Sequence, residues 1–163
     1  MDMEAVGIGL GSNMGDRLNN LRTAVQLLKN AGFIVKKQSD VFETPPFGVK
    51  EQPYFLNACL LAESDMEPKK ILRLLKSIEL KMGRKRRMRW GPREIDLDIL
   101  FMDNLIYRDD ELAIPHPRLQ ERPFIIVPLF QICPKWKHPL LGVTVEDLYR
   151  SVNISEIVKI TNL

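Results

Sequence analysis

The sequence predicts an α+β fold of order β-α-β-β-α-β, with two helices on one face of an antiparallel sheet. Two apolar stripes at helical spacing, and four strand-like runs around them, carry that prediction. Residues 5–10 are short, apolar and flanked by glycine, as a buried strand requires. Gly11-Ser-Asn-Met-Gly-Asp then reads as a tight loop into a helix start, with Asn13 or Asp16 able to cap. Leu18, Leu21, Ala24, Val25, Leu28 and Ala31 recur at helical spacing until Gly32 ends the helix. Residues 33–43, rich in Val, Ile and Phe, form the second strand.

Thr44-Pro-Pro-Phe-Gly cannot prolong that strand, because two prolines remove backbone donors. A loop therefore runs to about Pro53, and residues 54–61 make the third strand. Pro68 suits a first helical turn, after which Ile71, Leu74, Leu75, Ile78 and Met82 form one stripe. Gly83 stops this helix, an arginine-rich loop follows, and residues 95–101 form the fourth strand. This order is the signature of a ferredoxin-like sandwich. The proline-rich C-terminal third, with short helical pieces near 124–130 and 145–150, completes the same fold as an extension. A chain of 163 residues without linker or repeat reads as one domain, 1–163.

Bulk properties narrow the function. A composition 45% apolar and 28% charged excludes disorder, and a net charge of +3 is too small to demand a nucleic-acid partner. Met1-Asp-Met-Glu carries acids where a secretory signal would be basic, and no apolar run reaches membrane-span length. Cys59 and Cys133 form no CxxC pair and read as inert apolar packing. These features predict a cytoplasmic protein in a reducing compartment, without a membrane partner.

Ile95-Asp-Leu-Asp-Ile-Leu-Phe is the most informative segment. Strand alternation points Ile95, Leu97, Ile99 and Phe101 one way and Asp96 and Asp98 the other, the carboxylate-bearing Cα atoms about 7 Å apart. Such a pair repels itself unless a cation sits between its members, and hard ions bridged by carboxylates and phosphate oxygens are the common solution. A solvated edge strand is the plainer alternative. Just upstream, residues 83–93 hold six basic residues, with no acid until Glu94. A charge run is commonly a solvated face, but beside an acidic pair it suits polyphosphate plus metal. Glycines at 83 and 91 would let this loop close over a nucleotide. Trp90 within it is either a core anchor or an aromatic lid. No P-loop is present, and Gly7-Ile-Gly-Leu-Gly lacks dinucleotide-binding spacing, so phosphate binding rests on arginine and magnesium.

Gly11-Ser-Asn, Glu43-Thr-Pro-Pro-Phe-Gly, Gln52-Pro-Tyr-Phe-Leu-Asn, Arg84-x-Arg-x-x-Arg-Trp-Gly-Pro-Arg, Asp96-Leu-Asp and Pro115-His-Pro-Arg with Glu121-Arg122 occur in that order. Together they resemble the 6-hydroxymethyl-7,8-dihydropterin pyrophosphokinases of folate biosynthesis, from about Val6 to Leu129. The resemblance implies a ferredoxin-like fold and transfer of the β,γ-diphosphate of ATP to the pterin hydroxymethyl oxygen, with AMP leaving. It implies that Asp96 and Asp98 hold two Mg²⁺ and that Arg84 and Arg93 neutralise developing phosphate charge, assisted by Arg86, Arg89 and Arg122. Leu72, Glu79, Ile99 and His116 fall where the family lines its ATP site, and Trp90 is counted among both the nucleotide-binding and the pterin-binding residues.

The pterin would lie between Phe55 and Phe124, with Gly11 among its binding residues and Asn57 and the backbone of Thr44, Pro45 and Phe47 reading its polar edge. A flat heteroaromatic gains by stacking, and an amide offers both donor and acceptor. Asn57 could otherwise be a locally satisfied core amide. The partners implied are small molecules, acting on a monomer. Three positions depart from the common pattern: Phe55 where some members carry Tyr, Tyr54 beside it, and Lys76 in place of a neutral amide. His116 reads as a nucleotide contact rather than a general base, and His138 as a surface residue.

Two other classes fit less well. A small RNA-binding domain shares this topology but needs exposed sheet aromatics in a pattern absent here. A nucleotidyltransferase could use the same aspartates, and would release pyrophosphate rather than AMP from ATP.

Overall fold

The computed structural model describes residues 3–45, 51–83 and 93–163. Among them β1 (Glu4–Ser12), α1 (Arg17–Asn30), β2 (Ile34–Gln38), β3 (Asp40–Thr44), β4 (Phe55–Ser64), α2 (Pro68–Lys81) and β5 (Asp96–Met102) follow the expected order. The strand expected over 33–43 is divided at Ser39, whose N–H donates to Cys59 O at 2.9 Å while its hydroxyl accepts from Cys59 N at 2.9 Å. β2 and β3 therefore pair with the same long strand β4 on either side of that break. Asp16, not Asn13, caps α1, its carboxylate accepting the Asn19 N–H at 3.1 Å.

The C-terminal third adds more than padding. A small hairpin, β6 (Tyr107–Arg108) and β7 (Ala113–Ile114), precedes α3 (Pro123–Ile132) and α4 (Val145–Ser151), and β8 (Val158–Asn162) joins the sheet. The antiparallel order is β5-β1-β4-β3-β8, with β2 also on β4. One core, including Leu21, Leu28, Ile71 and Leu75, lies between the sheet and α1 and α2. A second, including Ile126, Leu129 and Leu148, lies under α3 and α4 on the opposite face. The expected face for α1 and α2 is thus half of a three-layer arrangement.

One strand-facing expectation fails. Phe101 belongs to the second core with Leu100, not to the first with Leu97 and Ile99. The β1–β5 register shifts between Gly7 and Ile8, so that Gly7 faces Phe101 and Ile8 faces Ile99. A bulge turns the side chains beyond it. The ring then lies against Gly7, where an added Cβ would be 2.4 Å from it, and stacks on Trp136 with centroids 4.2 Å apart.

Candidate active site

The sheet register assembles the site. Gly11 of β1 lies opposite Asn57 of β4 on one side and Asp96 of β5 on the other; Gly9 similarly separates Cys59 from Asp98. Neighbouring strands are about 4.8 Å apart, so Asp96 and Asn57 stand about 10 Å apart across a bare glycine floor. Asp96, Asp98, Gly11 and Asn57 all line one cleft on the face covered by α3, so both carboxylates point to the same side. Phe55, Thr44 and Pro45 close its β3–β4 end, and Phe124 with Arg122 comes from the start of α3.

Close packing holds the floor flat. A Cβ at Gly11 would sit 3.0 Å from Asn57 Oδ1 and 3.4 Å from the Phe55 ring. Asn57 is buried, and its Nδ2 donates to Thr44 Oγ1 at 2.7 Å, which fixes which way the amide points. The two-residue glycine spacing in β1 was a legible sign of this floor, because alternate residues share a strand face.

At the other end, Arg93 Nη1 stands 3.3 and 3.2 Å from the two oxygens of Asp96. Burial pushes the Arg122 guanidinium down from its ordinary range, while Asp98 and Asp96 oppose that shift. Among the described residues no cluster of three His, Cys, Asp or Glu exists that could form a closed metal cage. Two hard carboxylates on an open strand face fit Mg²⁺, which takes one or two protein carboxylates and completes its shell with phosphate and water.

Glu79 supports the strand that carries both aspartates. Although near the end of α2 it is buried, and its Oε2 accepts the Leu97 N–H at 2.8 Å, between the two aspartates. Leu72 and Ile99 pack in the first core and do not line the cleft. His116 Nδ1 accepts the Arg118 N–H at 3.1 Å, which leaves the neutral ring's proton on Nε2. Burial, then the positive charge of Arg122, pushes its pKa down to about 4. His138, expected at the surface, is 4% exposed, and its Nδ1 accepts the N–H groups of Leu140 and Leu141. Pro139 and Gly142 make the tight turn that buries it. Phe47, Arg84, Arg86, Arg89 and Trp90 lie outside the described residues.

Asn13 was missed as a site residue. It is 1% exposed, and its Nδ2 donates to Gln52 Oε1 at 2.9 Å and to Pro53 O at 3.0 Å. Its Oδ1 accepts the Arg93 N–H at 2.7 Å, and its own N–H donates to Arg93 O at 3.1 Å. One side chain thus ties the segment before Phe55 to the end of the arginine-rich stretch. Arg17 adds a tie of its own, reaching Glu43 at 2.8 Å and Tyr54 O at 3.0 Å.

Comparison with known proteins identifies a family. Residues 7–134 match the family described as 7,8-dihydro-6-hydroxymethylpterin-pyrophosphokinase (HPPK). A 2-amino-4-hydroxy-6-hydroxymethyldihydropteridine pyrophosphokinase of Bacillus subtilis is 44% identical, over 77% of this chain and 76% of its own length. A mitochondrial folate synthesis bifunctional protein of Arabidopsis thaliana is 46% identical over 78% of this chain. The chain spans about a quarter of the length of the plant relatives it matches. In fold, it superposes on an HPPK-DHPS crystallised with substrates at a TM-score of 0.75, with 17% identity, over 92% of this chain and 43% of the other. The wild-type Plasmodium falciparum HPPK-DHPS with pteroate gives 0.73 at 17% identity, over 91% and 42%. By its match over most of its length, the chain belongs to the 7,8-dihydro-6-hydroxymethylpterin-pyrophosphokinase family.

Proposed function

We propose that this chain transfers the β,γ-diphosphate of ATP to the hydroxymethyl oxygen of 6-hydroxymethyl-7,8-dihydropterin, releasing AMP, a step of folate biosynthesis. The carrying observation is the row Asp96–Gly11–Asn57, an anionic end and an amide end separated by a side-chain-free floor. A bicyclic pterin with a one-carbon arm spans about that 10 Å gap, which puts its hydroxyl at the carboxylate end when Asn57 reads its polar edge. Phe55 and Phe124 supply the aromatic faces, and the backbone of Thr44, Pro45 and Phe47 joins Asn57 in reading the edge.

In the reaction the hydroxymethyl oxygen attacks the β-phosphorus and gives up its proton to solvent, the bond from that phosphorus to the α,β-bridging oxygen breaks, and AMP departs with that oxygen. Two Mg²⁺ at Asp96 and Asp98 would polarise the triphosphate when bound. Arg93 moves from Asp96 to the phosphates, joined by Arg122 and by Arg84, Arg86 and Arg89. Neutral His116 donates from Nε2 to a phosphate oxygen, and with Nδ1 already accepting a backbone N–H it is poorly suited to take the pterin proton. Glu79, Leu72 and Ile99 support the purine side, and Trp90 covers the junction of the two substrates. The reading extends to a monomeric, cytoplasmic enzyme in one domain, 1–163. No described helix is long and apolar enough to cross a membrane.

Mixing the protein with ATP, Mg²⁺ and the pterin should yield AMP in a pterin-dependent way. ADP would refute the diphosphoryl transfer, and pyrophosphate would favour a nucleotidyltransferase. Asp98→Ala should abolish turnover with an unchanged circular dichroism spectrum, and turnover near the parent rate would refute the metal role.

A further inference from the structure

The segment beyond the family match builds a second compartment beside the cleft. The match ends at residue 134, yet β8 lies further on and pairs with β3, placing Val158 opposite Glu43, one residue before Thr44. The strand is anchored. Lys159 Nζ is 3.3 Å from Asp40, and Arg22 donates to the carbonyls of Asn162 and Leu163 at 3.1 and 3.2 Å. Before it comes a tight turn, in which Asn153 Oδ1 accepts the Ser155 N–H at 3.0 Å and Ile157 N–H donates to Ile154 O at 3.0 Å.

This turn is one wall of a cavity of ≈ 470 Å³, to which Asn153, Ser155, Glu156 and Ile157 contribute. Thr44, Pro45, Arg122 and Phe124 line both this cavity and the cleft, so the two spaces meet where the pterin would stack. Both spaces carry carboxylates, Glu121 and Glu156 in the cavity and Asp96 and Asp98 in the cleft, and Arg122 lines both while Arg93 lines the cleft. The two carboxylates of the cavity outweigh its one arginine and disfavour a polyphosphate there, whereas an uncharged heteroaromatic is indifferent to them.

We propose that this cavity is the vestibule through which the pterin reaches the cleft, with the C-terminal turn as its outer wall, while ATP arrives from the arginine side. The inference rests on the pterin assignment above. With a nucleotide already over Asp96 and Asp98, the vestibule leaves the pterin a path the nucleotide does not block.

The test is stopped-flow pterin binding to the full chain preloaded with Mg²⁺ and a non-hydrolysable ATP analogue. Ser155 and Glu156 are exposed turn residues outside the proposed catalytic and binding machinery. Ser155→Trp should slow pterin association about tenfold by narrowing the passage, with the analogue's Kd within about twofold of the parent. Glu156→Trp is the second narrowing variant, should the first misfold by circular dichroism. Pterin association at the parent rate in a folded variant would overturn the vestibule, as would an equal loss of nucleotide binding. If the parent protein itself binds no pterin, the substrate assignment fails instead, and the two failures are told apart by that control.

Discussion

Asn13→Ala tests whether one buried amide assembles the two halves of the site. The substitution removes three side-chain hydrogen bonds of 2.7 to 3.0 Å, to Gln52, Pro53 and Arg93, and leaves the backbone bond from Asn13 N–H to Arg93 O. At about 0.5–1.5 kcal/mol net for each, the assembled arrangement loses about 2–4 kcal/mol. The partners lie at segment ends that can turn towards water, so about 1–2 kcal/mol of this should appear in urea unfolding. The remainder appears as disorder between the segments. Since about 1.4 kcal/mol is a tenfold effect, a remainder of about 1–2 kcal/mol should lower kcat/KM roughly five- to thirtyfold, with both KM values raised. Asn13→Asp separates the two ties. Its carboxylate still accepts the Arg93 N–H but places an oxygen against Gln52 Oε1 and Pro53 O, so the pterin KM should rise more than the ATP KM. Steady-state AMP production with each substrate varied supplies the numbers. An alanine variant with both KM values within about twofold of the parent and an unchanged urea midpoint would refute the bridging role.

Other consequences can be checked separately. Glu79→Ala takes the acceptor from Leu97 N–H between the aspartates and should raise the Mg²⁺ concentration for half-maximal rate, whereas Glu79→Gln keeps an acceptor; identical Mg²⁺ titrations in both would rule out a positioning role. Gly7→Ala forces a contact of 2.4 Å against a ring already stacked on Trp136. It should cost about 1–3 kcal/mol in urea unfolding, partly restored by Phe101→Leu, and a neutral result would show that the ring moves freely. His116 has its folded pKa depressed to about 4, so its neutral form is favoured by folding. That contribution is present above the unfolded value of about 6.5 and is lost as pH falls towards 4, amounting to about 1 kcal/mol between pH 7.5 and 5.5. His116→Asn keeps an acceptor for Arg118 N–H and should flatten this part of the profile; an undiminished slope would assign it elsewhere.

The periodicities of α1 and α2, the proline punctuation and the alternation of Asp96 and Asp98 are local properties, so the sequence alone determined the β-α-β-β-α-β order and the acidic face of β5. It also set the cleft's chemical parts, because residue types such as Asn57 among apolar neighbours or paired aspartates are improbable unless something satisfies them. Facts that depend on register were decided only by tertiary structure. The bulge that turns Phe101 to the second face arises from pairing with Gly7, far away in the chain. The buried acceptor role of Glu79 and the bridging by Asn13 each need a partner that no nearby residue announces. The same holds for β8, whose short polar sequence resembles any exposed tail until β3 offers it an edge. Long-range contacts carry no periodic signature in either strand, so only the folded chain could bring these groups together.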